Sequence, residues 1–106
     1  MIFDRQKQIL TSVASDVINA STELCIETGA ILEAHKLNPK ITHTICVVRE
    51  DENSGYIVLT PCGVCQERLF YWGENVKVAI TNLGEKLEFK TLKEIQPYHW
   101  YKAYED

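Results

Sequence analysis

The sequence predicts an α/β layered fold, in which a central mixed sheet of about five strands is flanked by helices. Segments rich in β-branched residues alternate with segments of helical periodicity, and the connectors between them are short. No internal repeat, low-complexity tract or linker interrupts the chain. Residues 1–106 are therefore expected to form a single domain.

The first part of the chain predicts a strand and then a helix. Residues 8–14 have strand composition, and an irregular segment through Asp16 and Asn19 leads into a helix over residues 24–37. The helix is expected to end at Asn38-Pro39, because proline disfavours helical backbone before it. Its buried stripe is predicted at Ala30, Ile31 and Ala34.

The middle of the chain predicts a hairpin and a second helix. Residues 41–49 and 56–60 are rich in β-branched residues and flank the turn-forming segment Asn53-Ser54-Gly55. Pro61 suits the first turn of a helix, which is expected to stop at Gly73. Four residues of this helix share one face at helical spacing: Cys62, Cys65, Leu69 and Trp72.

The last part of the chain predicts two strands and a short helix. Residues 76–81 are mostly apolar, and residues 87–90 alternate after a turn at Asn82-Leu83-Gly84. Thr91 and Glu94 have the spacing of a capping box, which predicts a short helix that ends before Pro97. These two strands complete the predicted count of about five.

The overall charge and hydropathy exclude several classes of partner. The net charge is −4, the pI is about 5.3, and no basic patch is present to bind a nucleic-acid backbone. The apolar runs are far shorter than the roughly 20 residues of a membrane span. The N-terminal residues lack an apolar stretch of signal-peptide length, so a cytoplasmic location is expected, in which the four cysteines stay reduced.

Three cysteines and a glutamate carry the predicted chemistry. Cys25-Ile26-Glu27 and Pro61-Cys62-Gly63-Val64-Cys65 together offer three thiolates, one ligand short of a closed tetrahedral zinc site. Near helix starts, unpaired amides and the helix dipole stabilise thiolates. Glu27, two residues beyond Cys25, is placed to move the protons of a water in the open position. The pattern indicates a hydrolytic zinc enzyme.

Other interpretations of these residues exist. A Cys-x-x-Cys pair alone is as often a redox or structural-zinc element, and Cys62 and Cys65 then form a reversible disulfide without metal. Cys46 has the sequence context of a small buried hydrophobe, but it becomes the fourth ligand if the zinc site is closed. The three histidines lack metal-ligand spacing relative to one another and to the cysteines: His35, His43 and His99.

The motif resembles the zinc-dependent nucleoside deaminases, specifically the small cytidine deaminase and blasticidin-S deaminase group. The likeness covers about residues 10 to 100 and includes the following segments: Asn19-Ala20-Ser21, Cys25-Ile26-Glu27, Ala30-Ile31, Thr60-Pro61-Cys62-Gly63-Val64-Cys65 and Leu92-Lys93-Glu94-Ile95-Gln96-Pro97-Tyr98-His99-Trp100. It implies the three-layer fold of that family and a zinc ion held by three cysteines: Cys25, Cys62 and Cys65.

The resemblance also implies a reaction and an assembly. Water would attack C4 of a cytosine nucleoside while Glu27 moves protons to N3 and to the departing amine, which gives the uracil form and ammonia. Members with three cysteine ligands are usually homotetramers whose neighbouring chains complete each site. Trp100 matches the position of a phenylalanine that stacks on the base across a subunit boundary.

The chain departs from the family pattern around the substrate. Asp16-Val17-Ile18 replaces an Asn-Val-Glu segment that holds ribose hydroxyls, so Asp16 and Asn19 are the predicted substrate-binding residues that remain. The altered segment favours an alternative substrate, a modified cytosine compound such as blasticidin S. The chain also begins later than family members, without their first helix and with a shorter first strand, so a truncated or unusually short version is expected.

Further departures lie beside the predicted thiolate cluster. Thr28 and Gln66 replace two arginines that neutralise the thiolates, and Arg68 is a partial substitute; Glu67 replaces a glutamine. Unneutralised thiolates predict a less acidic zinc-bound water and slow turnover. These departures also keep open a catalytically silent zinc-stabilised binding module.

Overall fold

The computed structural model describes residues 1–82, 84 and 86–105. The strands, in chain order, are β1 (Ile2–Asp4), β2 (Ile9–Leu10), β3 (Ile41–Thr44), β4 (Val47–Val48), β5 (Ile57–Val58), β6 (Lys77–Ala79) and β7 (Phe89–Thr91). The α-helices are α1 (Thr28–Leu37), α2 (Gly63–Leu69) and α3 (Leu92–Ile95). Three short 3-10 turns cover Ala20–Thr22, Phe70–Trp72 and Trp100–Tyr104.

The main sheet has five strands in the order β2-β1-β3-β6-β7. β3 and β6 are parallel and the other neighbours are antiparallel, so the predicted mixed sheet of about five strands is confirmed. The strands that form this sheet differ from the predicted ones. β1 was not predicted, because three residues carry little periodicity and become a strand by pairing with both β2 and β3.

The predicted hairpin forms, but outside the main sheet. β4 pairs with β5 in a separate two-stranded sheet, with Val47 opposite Val58. The predicted strand over 41–49 is therefore two strands, interrupted at Ile45 and Cys46 where the chain leaves the main sheet. The predicted strand over 8–14 was too long, since the pairing with β1 ends at Leu10.

Helix α1 is shorter than predicted, so the Cys25-Ile26-Glu27 motif precedes the helix. The residues from Cys25 to Glu27 form a turn, in which the Thr28 N–H donates to the Cys25 carbonyl at 3.1 Å. The helix ends at Asn38, whose left-handed φ of 56° and N–H bond to the Ala34 carbonyl close the last turn. The predicted stripe is confirmed as buried: Ala30, Ile31 and Ala34.

Helix α2 begins at Gly63, later than predicted. Cys62 is its N-cap, so Pro61 precedes the helix instead of occupying its first turn. A 3-10 turn then continues the helix to the predicted stop at Gly73, whose φ of 105° is accessible to glycine. Of the predicted face, Cys65 and Leu69 are buried, whereas Cys62 is exposed at the helix start.

Helix α3 has the predicted capping box. The Thr91 hydroxyl accepts from the Glu94 N–H at 3.1 Å, and the Glu94 carboxylate accepts from the Thr91 N–H at 3.0 Å. The predicted turn at Asn82-Leu83-Gly84 includes Leu83, which lies outside the described residues. None of the helices in the described ranges is long and apolar enough to span a bilayer.

The core lies between the main sheet and helices α1 and α2. It includes Cys65, which is fully buried in the same cluster as the following apolar residues: Ile2, Ile31, Leu69, Val78 and Leu92. Cys25 packs against the edge of this cluster. The core therefore fixes one predicted metal ligand in its interior and a second at its boundary.

Candidate metal centre and proton-transfer group

The structure brings the three predicted ligands together. Cys25 lies three residues ahead of α1, Cys62 caps α2 and Cys65 is in its first turn, so two helix starts meet at the cluster. The three sulfur atoms lie within 4.8 Å of one another, and the Cys25 and Cys62 sulfurs are 3.3 Å apart. That distance is far longer than a disulfide bond of about 2.05 Å. All four cysteines are free thiols.

The donor set fits a zinc ion. Thiolates bound about 2.3 Å from one tetrahedral zinc lie about 3.8 Å apart, which is comparable with the spacing of these sulfurs. Thiolate donors favour zinc over hard cations such as magnesium. Cys46, the alternative fourth ligand, is not within the group of three. Three protein ligands leave one tetrahedral position for water or substrate.

The three thiols differ in their protonation. Backbone N–H groups of Cys65 and Val64 stabilise the Cys62 thiolate and lower its pKa. The hydrogen bond with Cys62 raises the pKa of Cys25, and burial raises the pKa of Cys65. Cys62 is therefore the first of the three to ionise, and the other two stay protonated until a metal replaces their protons.

Glu27 lies beside the cluster at the entry to α1. Glu27 is 8% exposed, and its backbone carbonyl accepts a hydrogen bond from the Ile31 N–H at 3.0 Å in the first helical turn. Burial raises the pKa of Glu27, but hydrogen bonds with the Cys46 and Cys65 thiols and with its own backbone N–H, together with the N-terminal amine, lower the pKa overall. The side chain is therefore an ionised carboxylate in a dry environment, as a proton acceptor requires.

Cys46 is a neighbour of Glu27 that the sequence did not identify. The residue is 5% exposed, and its carbonyl accepts the Leu59 N–H at 2.9 Å from the hairpin. Burial and the Glu27 carboxylate raise the pKa of Cys46 to about 12, so its thiol stays protonated. A protonated thiol facing a carboxylate can donate to it, which the sequence pattern of an apolar strand could not reveal.

Arg68 contacts Thr28, one of the two positions where the resemblance leads us to expect an arginine. Its guanidinium Nη1 donates to the Thr28 hydroxyl at 3.0 Å and so joins α2 to the first residue of α1. Gln66, at the second substituted position, instead donates from Nε2 to the Pro61 carbonyl at 2.6 Å. Both side chains brace the segments that hold the thiols, and the predicted partial substitution by Arg68 stays a prediction.

The predicted substrate residues lie on the surface of this chain. Asp16 is exposed, and Asn19 caps the 3-10 turn Ala20–Thr22 by accepting from the Ser21 N–H at 3.0 Å. Trp100 is 61% exposed, and its indole N–H donates to Glu67 at 3.0 Å. The roles predicted for these three residues remain proposals.

Four cavities of 330 to 590 Å³ lie on the described surface, and the thiol cluster lines none of these four. The cavity of about 590 Å³ lies between α2 and the C-terminal 3-10 turn. Its lining includes Glu67, Phe70, His99 and Trp100. Of this group the sequence predicted a substrate role for Trp100 alone.

Three clustered thiols and a buried carboxylate at two helix starts, beside a mixed sheet, place this protein in the class of candidate hydrolytic metalloenzymes. A crystal structure of the cytidine deaminase from Bacillus anthracis superposes with a TM-score of 0.94. The two sequences are 65% identical, and the match covers 97% of this chain and 74% of that one. The chain belongs to the cytidine deaminase family, which confirms the predicted family and fold. No family model and no curated protein sequence matches the chain.

Proposed function

We propose that the protein is a zinc-dependent hydrolytic deaminase that converts a cytosine nucleoside to the uracil form and releases ammonia. One observation carries the proposal: three thiol sulfurs lie within 4.8 Å of one another beside the buried, ionised Glu27. The similarity to a protein named as a cytidine deaminase supports the same substrate class.

Each of the four residues has a defined task in this proposal. Cys25, Cys62 and Cys65 hold zinc, which supplies Lewis acidity toward a water molecule. The Glu27 carboxylate accepts one proton from the attacking water and delivers it to N3 of the ring. The same carboxylate then carries the second proton to the departing amine, so water and the cytosine ring yield the uracil ring and ammonia.

We further propose that the protein works as a homo-oligomer, a tetramer by the family pattern. Trp100 presents an indole that is 61% exposed, at the position where the resemblance places a ring that stacks on the base across a subunit boundary. A neighbouring chain that offers Trp100 would supply the apolar wall that a base needs. Asp16 and Asn19 are the side chains proposed to meet the polar part of the substrate.

A modified cytosine compound such as blasticidin S is the second candidate substrate. Ile18 occupies the position where the family has a carboxylate for ribose hydroxyls, and this side chain is fully exposed. An apolar group there cannot accept a hydroxyl hydrogen bond. The exposed Ile18 therefore favours a substrate that makes fewer sugar contacts.

The first experiment is metal content and deamination on one purified sample, beside its Glu27→Gln variant. We expect about one zinc per chain in both proteins, because Glu27 is not among the ligands. Turnover in the variant should fall by about 10² to 10⁴, the usual contribution of general acid–base catalysis. Glu33→Gln is the matched control, since Glu33 is an exposed glutamate of α1 and should leave turnover unchanged.

The substrates compared are cytidine, deoxycytidine and blasticidin S. Faster turnover of blasticidin S would select the second candidate. Zinc without turnover of any of the three would support a catalytically silent module, and a metal-free protein with a reversible disulfide between Cys62 and Cys65 would favour the redox interpretation. Zinc content that falls with Glu27→Gln would contradict the assignment of ligands.

A further inference from the structure

A polar bridge joins the helix of the metal ligands to the C-terminal segment. Glu67 of α2 accepts hydrogen bonds from two neighbouring residues, from His99 Nε2 at 2.7 Å and from the Trp100 indole at 3.0 Å. A second contact lies beside it, where the Gln96 amide donates to Gln66 at 2.5 Å. The C-terminal segment is therefore attached to the helix that carries Cys65.

Hydrogen bonds at both ring nitrogens hold His99. The Tyr101 N–H donates to His99 Nδ1 at 3.4 Å, which leaves Nε2 as the nitrogen that donates to Glu67. The His99 ring also stacks on Phe70 with centroids 4.1 Å apart. Two independent contacts therefore hold the imidazole in place beneath the carboxylate.

The Glu67 carboxylate is the acceptor for both donors. Each carboxylate oxygen serves one donor, Oε2 for the imidazole and Oε1 for the indole. Charge-assisted bonds of this kind are stronger than neutral ones and fix orientation.

The indole of Trp100 is held through its N–H edge, while 61% of the residue stays exposed. Its neighbours in the described part of the chain are tilted or edge-on: His99, Tyr101 and Tyr104 at centroid distances of 5.5, 5.5 and 6.3 Å. None of these rings stacks parallel on the indole. A flat apolar ligand can therefore still be placed on a face whose orientation is already set.

We propose that Glu67 is a positioning residue, which holds the Trp100 indole in one orientation for stacking on the substrate's base. This inference rests on the proposed function for the identity of the ligand, a nucleoside base. Holding the ring before binding reduces the rotamer entropy that the substrate must otherwise overcome. The role requires a hydrogen-bond acceptor at Glu67, and a glutamine oxygen can also accept from the indole.

The test is a comparison of Glu67→Ala and Glu67→Gln by fluorescence and kinetics. Fluorescence is measured in a Trp72→Phe background, so that Trp100 is the single emitting tryptophan. In Glu67→Ala we expect lower anisotropy and stronger quenching by acrylamide, because the indole loses its anchor. Glu67→Gln should restore most of the anisotropy. The KM for cytidine should rise about tenfold in Glu67→Ala, with a smaller change in kcat.

Two controls separate orientation from a general structural effect. Glu33→Ala removes an exposed glutamate from α1 and should change neither readout. In Trp100→Phe, which keeps an aromatic face but lacks the N–H, adding Glu67→Ala should raise KM much less than it does alone. Unchanged anisotropy and KM in Glu67→Ala would overturn the proposal. If no deaminase activity exists, the proposed function fails, and anisotropy still decides whether Glu67 orients the indole.

Discussion

Four cysteines of identical chemistry acquire different properties from their surroundings. Backbone N–H groups at the start of α2 lower the pKa of Cys62, whereas burial raises the pKa of Cys65 and of Cys46. Contact with Cys62 raises the pKa of Cys25. At neutral pH the metal-free cluster therefore holds at least two thiol protons, and a zinc ion has to displace them.

Zinc affinity should consequently increase with pH. Because the pKa values of Cys25 and Cys65 are raised, both keep their protons across pH 6 to 8, and zinc binding releases at least two protons per ion. Competition with a coloured chelator at several pH values measures this slope. Cys46→Ala should give the same slope, since Cys46 is not among the three clustered thiols. An affinity independent of pH would contradict the prediction.

At the scale of elements, the position of the motif depends on tight local packing around one glycine. Gly29 is the second residue of α1, and a Cβ there would lie 2.8 Å from the Ser12 Cβ. The Ser12 hydroxyl donates to the Ile26 carbonyl at 2.6 Å, between Cys25 and Glu27. The close approach of these two backbones therefore holds the turn that carries a ligand and the proposed proton acceptor.

Gly29→Ala should destabilise the protein despite the better helix propensity of alanine. The higher helix propensity of alanine raises the free energy of unfolding by up to about 1 kcal/mol, whereas overpacking lowers it by about 1–3 kcal/mol. A net decrease of about 1 kcal/mol is therefore expected. Thermal unfolding would record a Tm about 4–8 °C lower. Gly63→Ala is the matched control, since its Cβ would meet nothing within 4 Å. Equal Tm values for the two variants would contradict this account.

Local signals were predictable from sequence, and long-range pairings were not. The capping box of Thr91 and Glu94 and the stop at Gly73 follow from residues within one turn, so both were predicted correctly. β1 was missed because its three residues carry little periodicity and form a strand by pairing with β2 and β3. The cluster of Cys25, Cys62 and Cys65 followed from ligand spacing, but the Glu67 bridge depends on a tertiary approach between α2 and the C-terminal segment.

At the scale of the whole molecule, the thiol cluster connects an exposed segment of the chain with the core. Residues 13–24 are exposed throughout, and this stretch ends at Cys25, against the core. Cys65 lies inside the core, and the Arg68–Thr28 hydrogen bond joins the same two helices nearby. A metal held by the three sulfurs would therefore attach an irregular surface segment to the buried centre of the protein.

Removing zinc should therefore lower the stability of the folded protein, because a ligand that binds the folded state shifts unfolding by mass action. At a free zinc concentration about 1,000 times Kd, bound zinc raises the free energy of unfolding by about 4 kcal/mol, which corresponds to a large increase in Tm. The measurement is thermal unfolding at fixed protein concentration, with zinc and after chelation.

Cys62→Ser is the control, since Cys62 is exposed and its loss removes a ligand without opening the core. Its Tm should respond to zinc much less than that of the unaltered protein. A chelator that leaves the Tm of the unaltered protein unchanged would show that the cluster does not hold a stabilising metal.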